Sequence, residues 1–239
     1  MIRKGMRPFW IGPLTITVVI LLSAACARSP APASGPAHPS SSTRAAGGIA
    51  VNPANIKRVG RELPTGYEVT TAIPSAASPR VIWRLEPGGT AKPPQCAILA
   101  DPGDGRDQSA QGVSGSGSGG IVDAVVVSVP GLPGPLAPDP DVVAACTQWT
   151  MKAGRTSVSV RLTDAPRIDG AETLGLVADI RTSVESGTEI DSRAYTFTAY
   201  LGDYYAFTTL TTDPGSALPA LPPRFAADLL VKTVSTLRS

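Results

Sequence analysis

The sequence predicts an α+β domain: a mostly antiparallel sheet of about six or seven strands, helices packed on one face, and one disulfide. Three observations point there. The second half of the chain is a run of stretches with alternating apolar and polar residues, the period of half-buried strands. Helical patterns stand at both ends of the same region, near residues 52–63 and 223–238. Cys96 and Cys146 remain as an even pair in a chain that reads as exported, which predicts a disulfide.

The elements follow in chain order. Arg3, Lys4 and Arg7 precede an apolar run, "FWIGPLTITVVILL", with no acid among them. That run is shorter than the roughly 20 residues a membrane-spanning helix needs. A basic start, a short apolar middle and a small-residue end make a secretory signal peptide. The end here is Ser23-Ala24-Ala25, directly before Cys26. It resembles a bacterial lipobox, in which the cysteine thiol takes a diacylglyceryl group and cleavage falls just before it. Ser23 stands where the box commonly has Leu, with Leu22 one step earlier. The alternative is an ordinary signal peptide cut at Ala25-Cys26-Ala27, leaving a soluble product. The following "ARSPAPASGPAHPSSSTRAAGG" has little to bury and is expected to be a disordered tether. The predicted division is therefore a signal peptide over 1–25, a tether over 26–48 and a single domain over 49–239.

Within the domain, Asn52 reads as an N-cap with Pro53 at the first helical position, and Ile56, Val59 and Leu63 recur with helical spacing. "GYEVTTAI" alternates as a short strand. "SPRVIWRL" and "PPQCAILADP" read as short helices, the second carrying Cys96. Residues 101–120 read as a long polar loop. "IVDAVVVSV" is apolar on both alternating sets except Asp123 and Ser128, as in a strand covered at least partly on both faces. "DPDVVAACTQW" is a helical turn that brings Cys146 to the next strand. "TSVSVRLT", "TLGLVADIRTSV", "AYTFTAYL" and "YYAFTTLTT" are strands, with Gly202-Asp203 as a hairpin turn. The last segment is the plainest helix. Phe225, Ala226, Leu229, Leu230, Thr233, Val234 and Leu237 form its apolar stripe.

Composition narrows function. The signal peptide takes three of the 21 basic residues and none of the 19 acids, so 18 face 19 in the mature chain, a net charge of −1. No basic excess predicts nucleic-acid binding. The one histidine, His38, lies in the tether, so the domain offers no imidazole for a Ser-His or Cys-His nucleophile and no Cys/His cluster for zinc. No catalytic residue, metal or cofactor is expected. Gly115 to Gly120 satisfies the spacing G-x-G-x-x-G, but a strand rather than a helix follows, which removes the phosphate-facing helix end. Asp101, Asp104 and Asp107 lack calcium-loop spacing and are expected to be solvated. Glu172, Asp179, Glu185 and Glu189 are weighed as a glycosidase carboxylate pair, with nothing marking two of them. Trp149, Tyr200 and Tyr204 are candidates to line a groove, against plain packing.

Longer stretches carry a family likeness: "NPANIKRVGRELPTGYEV", "SPRVIWRLEPGGTAKPPQCAILADP", "GVSGSGSGGIVDAVVVSV", "CTQWTM" and "TAYLGDYYAFTTLTTDPG". With the lipobox and the final helix, they resemble a group of conserved mycobacterial lipoproteins of unknown function. More distantly, the chain is similar to the extracellular sensor domain of PknH-type receptor kinases. The resemblance implies a disulfide-bonded α+β domain on the outer face of the cell membrane, held there by the lipid on Cys26. Export, an anchor and a single domain without catalytic chemistry point to a non-catalytic binding role towards a lipid, a glycan or an envelope protein. A carboxylate-only hydrolase and a structural surface-interaction protein are the alternatives.

Overall fold

The computed structural model describes residues 50–71, 73, 77–131 and 136–239. Cys26, the signal peptide and the tether lie outside them. Nine strands, not six or seven, form one antiparallel sheet: β1 (Glu68–Thr70), β2 (Thr90–Lys92), β3 (Ser109–Gly117), β4 (Gly120–Ser128), β5 (Gln148–Ala153), β6 (Thr156–Thr163), β7 (Glu172–Ser183), β8 (Glu189–Leu201) and β9 (Tyr204–Thr212). Their order across the sheet is β1-β3-β4-β9-β8-β7-β6-β5-β2. Strands β5 to β9 form consecutive hairpins: alternation predicts β6 to β9 as strands and Gly202-Asp203 as the turn joining β8 to β9, and β5 is one of the strands it does not place.

The second half of the polar loop expected over 101–120 is mostly strand β3, Ser109–Gly117. Its glycines are a packing device. A Cβ on Gly117 would lie 2.4 Å from two ring carbons of Tyr67, and one on Gly115 would meet the Leu63 side chain at 2.6 Å. A strand so poor in side chains lets Tyr67 lie flat on the sheet. The G-x-G-x-x-G stretch is the β3–β4 hairpin, with Gly117 paired to Gly120.

The expectation of helices on one face is also corrected, because both faces are covered. On one face the N-terminal 3-10 helix, Pro53–Glu62, and the C-terminal helix, Arg224–Leu237, pack over β3, β4, β9 and β8. Asn52 caps the first, its side chain accepting from the Ala54 amide at 3.1 Å. Ile56, Val59, Leu229, Leu230 and Val234 meet Val122, Ala124, Val126 and Leu210 there. On the opposite face, residues 78–100 supply the cover in single turns. Trp83, Leu85, Cys96 and Leu99 pack on Val125, Val127, Trp149, Leu176 and Phe207. The run "VVV" in β4 is apolar throughout because its two sides serve two cores.

Cys96 and Cys146 are joined, fixing the cover at 94–100 to the short helix Pro140–Ala145. The two ends of the domain also meet. The Asn52 amide donates to the Leu237 carbonyl at 2.8 Å, the Asn55 side-chain amide to the Ser239 carbonyl at 2.8 Å, and Arg58 to the Ser239 hydroxyl at 3.0 Å.

Candidate functional site

The two helices cover only part of their face. Beyond them, β2, β5, β6, β7 and the start of β8 present a bare sheet surface. There the structure forms a groove of about 680 Å³. Register builds its surface. Thr90, Lys152, Ser157, Arg181 and Asp191 stand opposite one another across five strands, and so do Lys92, Thr150, Ser159, Asp179 and Arg193. Residues directly opposite share a face, so two parallel rows of polar side chains point the same way. The intervening Ala91, Met151, Val158 and Ile180 are buried in the opposite core. That burial fixes the register and aims the polar rows at solvent.

Charge divides the groove. At the β7–β8 end, Arg193 Nε donates to Asp179 Oδ1 at 2.5 Å, and Arg181 Nε to Asp191 Oδ1 at 3.0 Å, with Glu189 at 3.4 Å. These hydrogen bonds, with the carboxylate charges, hold both guanidinium groups above their ordinary range. At the β2–β5–β6 end, Lys92 and Lys152 have no ion-pair partner among the described residues. Pro214 closes one side. Among the described residues, no aromatic side chain lines the groove.

The aromatics expected to share a groove are not brought together. Trp149 and Tyr200 are buried in the core that holds the disulfide, whereas Tyr204 packs with the opposite cluster. The hairpin register explains it: Tyr200 faces Tyr205 and Leu201 faces Tyr204, so Tyr200 and Tyr204 point to opposite sides. Asp179 sits in the groove with its carboxylate engaged by Arg193. Glu172 lies across from Tyr200 at the far end of β7. Glu185 pairs loosely with Arg155, at 3.9 Å.

Asp101, expected to be solvated, is only 8% exposed. Asp104 and Asp107 remain exposed. Desolvation, reinforced by Asp104, pushes the Asp101 carboxyl up to about 6, against the pull of Arg80 and Ser78. Arg80 lies 3.6 Å from Asp101 Oδ2, while Oδ1 has no hydrogen-bond partner. Nearby, the Tyr205 hydroxyl donates to the Ala77 carbonyl, and burial first, then the Asp101 charge, raises that phenol. A second buried polar row crosses the sheet. Trp83 Nε1 donates to Thr196 Oγ1 at 3.2 Å, and Thr196 shares a hydrogen bond with Thr209 at 3.0 Å. Asp123 continues the row opposite Thr209, and burial raises its carboxyl. Both clusters are closed under cover and structural in character. Among the described residues, no three His, Cys, Asp or Glu side chains gather closely enough to hold a metal ion. No described helix is long and apolar enough to cross a membrane.

Comparison with known proteins gives a likeness in fold and a family. The crystal structure of an uncharacterised Mycobacterium smegmatis protein, the Rv0999 ortholog, is similar with a TM-score of 0.58 and 20% identity over 79% of this chain and 98% of that one. At that identity the likeness concerns architecture alone. A search of curated proteins finds no match. Residues 52–238 match the model of a family described as a domain of unknown function, DUF5642. That match spans most of the chain and nearly all of the sheet and its covering helices, so the protein belongs to the DUF5642 family.

Proposed function

We propose that this protein is a lipid-anchored component of the cell envelope whose folded domain binds a ligand or partner, without catalysis, on its bare sheet face. One observation carries the reading: the bare sheet face holds a groove of about 680 Å³ whose two carboxylates are already engaged by arginines. Carboxylates held in this way are poorly placed to act as a glycosidase acid and nucleophile. The two unpaired lysines and the exposed hydroxyls beside them remain available for contact. The anchor rests on the sequence alone, on the apolar run that stops at Cys26. The likeness to the sensor domain of PknH-type kinases supports the binding, sensor-like part.

Two experiments test the two halves. Cys26→Ala should move the protein out of the membrane fraction, and a variant that stays membrane-bound removes the anchor. For binding, the protein is purified from an actinobacterial host and its native and denatured masses compared, beside Ser159→Trp, which fills the groove. Extra mass present in the wild type and lost from the variant supports a small ligand there. A bare mass in both shifts the reading to a protein partner. In that case a photocrosslinking side chain at position 159 must capture one in the envelope, and its failure to do so ends the binding proposal.

A further inference from the structure

We infer that the β2–β5–β6 end of the groove recognises a polyol chain bearing phosphate groups. The inference rests on the reading of the groove as the binding face and names the chemistry that face selects. Its first support is charge. The groove surface carries Lys92, Lys152, Arg181 and Arg193 against Asp179 and Asp191. Each arginine pairs with an aspartate and Glu189 adds a further carboxylate beside Arg181, so the unpaired positive charge of the groove is that of the two lysines. It is confined to one end, on a mature chain whose net charge is slightly negative.

The second support is spacing. Lys92 faces Thr150 and Lys152 faces Thr90, so the lysines occupy diagonal positions on neighbouring strands. Diagonal neighbours on one face stand about 7–8 Å apart at their Cα atoms. Side chains rooted that close can bring both ammonium groups onto one ligand, and a pair of linked phosphates would engage the two together. The third support is the hydroxyls. Thr90, Thr150, Ser157 and Ser159 interleave with the lysines, are exposed, and none makes a side-chain hydrogen bond to protein among the described residues. A hydroxyl both donates and accepts, which suits the alternating hydroxyl and phosphate groups of such a chain.

The surface also argues against other ligands. A neutral sugar would be expected to find an aromatic platform, and no described aromatic residue lines the groove. An acyl chain needs a closed apolar slot, whereas the two cross-strand rows that face this open groove are charged or hydroxylated. Lysine serves phosphate as a point charge and needs no bidentate geometry.

The test uses the purified protein, with poly(glycerol phosphate) as the probe and dextran of equal length as the neutral control, read by calorimetry and backbone amide shifts. The inference expects binding of the polyphosphate, no binding of dextran, and amide shifts centred on β2, β5 and β6. Screening should weaken that binding about tenfold between about 50 and about 300 mM salt. The double variant Lys92→Glu/Lys152→Glu should lose about tenfold or more in affinity. Lys232→Glu, on the C-terminal helix, should change it less than about twofold. Both lysines are exposed, and Lys92→Gln/Lys152→Gln repeats the test without adding charge. Equal binding of dextran, or polyphosphate binding indifferent to both double variants, overturns the inference. Binding confined to vesicles of phosphatidylglycerol in phosphatidylcholine overturns it in favour of a membrane surface. No binding of any probe overturns it as well. None of these results touches the native-mass comparison with Ser159→Trp, so a groove that binds something else remains distinguishable from a groove that binds nothing.

Discussion

Replacing Asp101 with asparagine should stabilise the protein at pH 8, and the gain should fade in acid. The carboxyl is buried beside Arg80, its Oδ1 lacks a partner, and burial moves its titration from the ordinary 3.8 up to about 6. The folded state therefore holds this proton more tightly than the unfolded chain does. The stability this confers is complete below about 3.8 and is lost as pH rises through about 6. A tenfold change in proton affinity corresponds to about 1.4 kcal/mol, so a hold roughly a hundredfold tighter sets a ceiling of about 3 kcal/mol. Water reaches part of the side chain, so about 1–2 kcal/mol is the expected loss. Asparagine has no proton to lose and keeps one oxygen for Arg80 and Ser78. Urea unfolding followed by the fluorescence of buried Trp83 and Trp149 should place the variant about 1–2 kcal/mol above the wild type at pH 8. Most of that difference should have closed by about pH 4. A variant less stable than the wild type at pH 8, by an amount independent of pH, would refute the reasoning. It would mean that the Arg80 contact outweighs desolvation.

Two further outcomes follow from packing. Opening Cys96–Cys146, which closes a separation of 50 residues, should cost about 4 kcal/mol, read as the drop in urea midpoint between oxidised and Cys96→Ser/Cys146→Ser protein. An unchanged midpoint would show that the cover over the second core holds without it. Gly117→Ala should cost about 1–3 kcal/mol because its methyl would strike the Tyr67 ring, and Tyr67→Ala in the same chain should recover part of the loss. Strict additivity of the two would mean that ring and glycine do not meet.

Strands β6 to β9 and the C-terminal helix were legible because each carries its own periodicity. In the helix, Ala226, Leu229, Leu230, Thr233, Val234 and Leu237 are buried as the stripe predicts, with only Phe225 partly open. Strand β3 was not legible. Glycine and serine have poor strand propensity, and "SAQGVSGSG" is a strand through its pairing with β4 and β1, with Tyr67 and Leu63 packed on its glycines. Double cover was written in β4, whose apolar residues fill both alternating sets, yet nothing local marked the single-turn segments around Trp83 and Leu99 as the second layer. The groove is a different case. Lys92, Thr150 and Ser157 each look like any solvent-facing strand residue, and only the pairing of β2, β5 and β6 sets them side by side. Register is a long-range property that no single segment carries.

The meeting of the two chain ends has a mechanical consequence. A domain held from its N-terminal side is loaded first at the corner where Asn52 bonds Leu237 and where Asn55 and Arg58 grip Ser239. Tension entering there pulls the 3-10 helix away from the end of the final helix and opens that seam one bond at a time. The strands around the groove begin with β2 at Thr90, well along the chain from that corner, so the seam meets the load before they do. The groove should therefore keep its shape under a pull from that side, and the seam should act as its fuse.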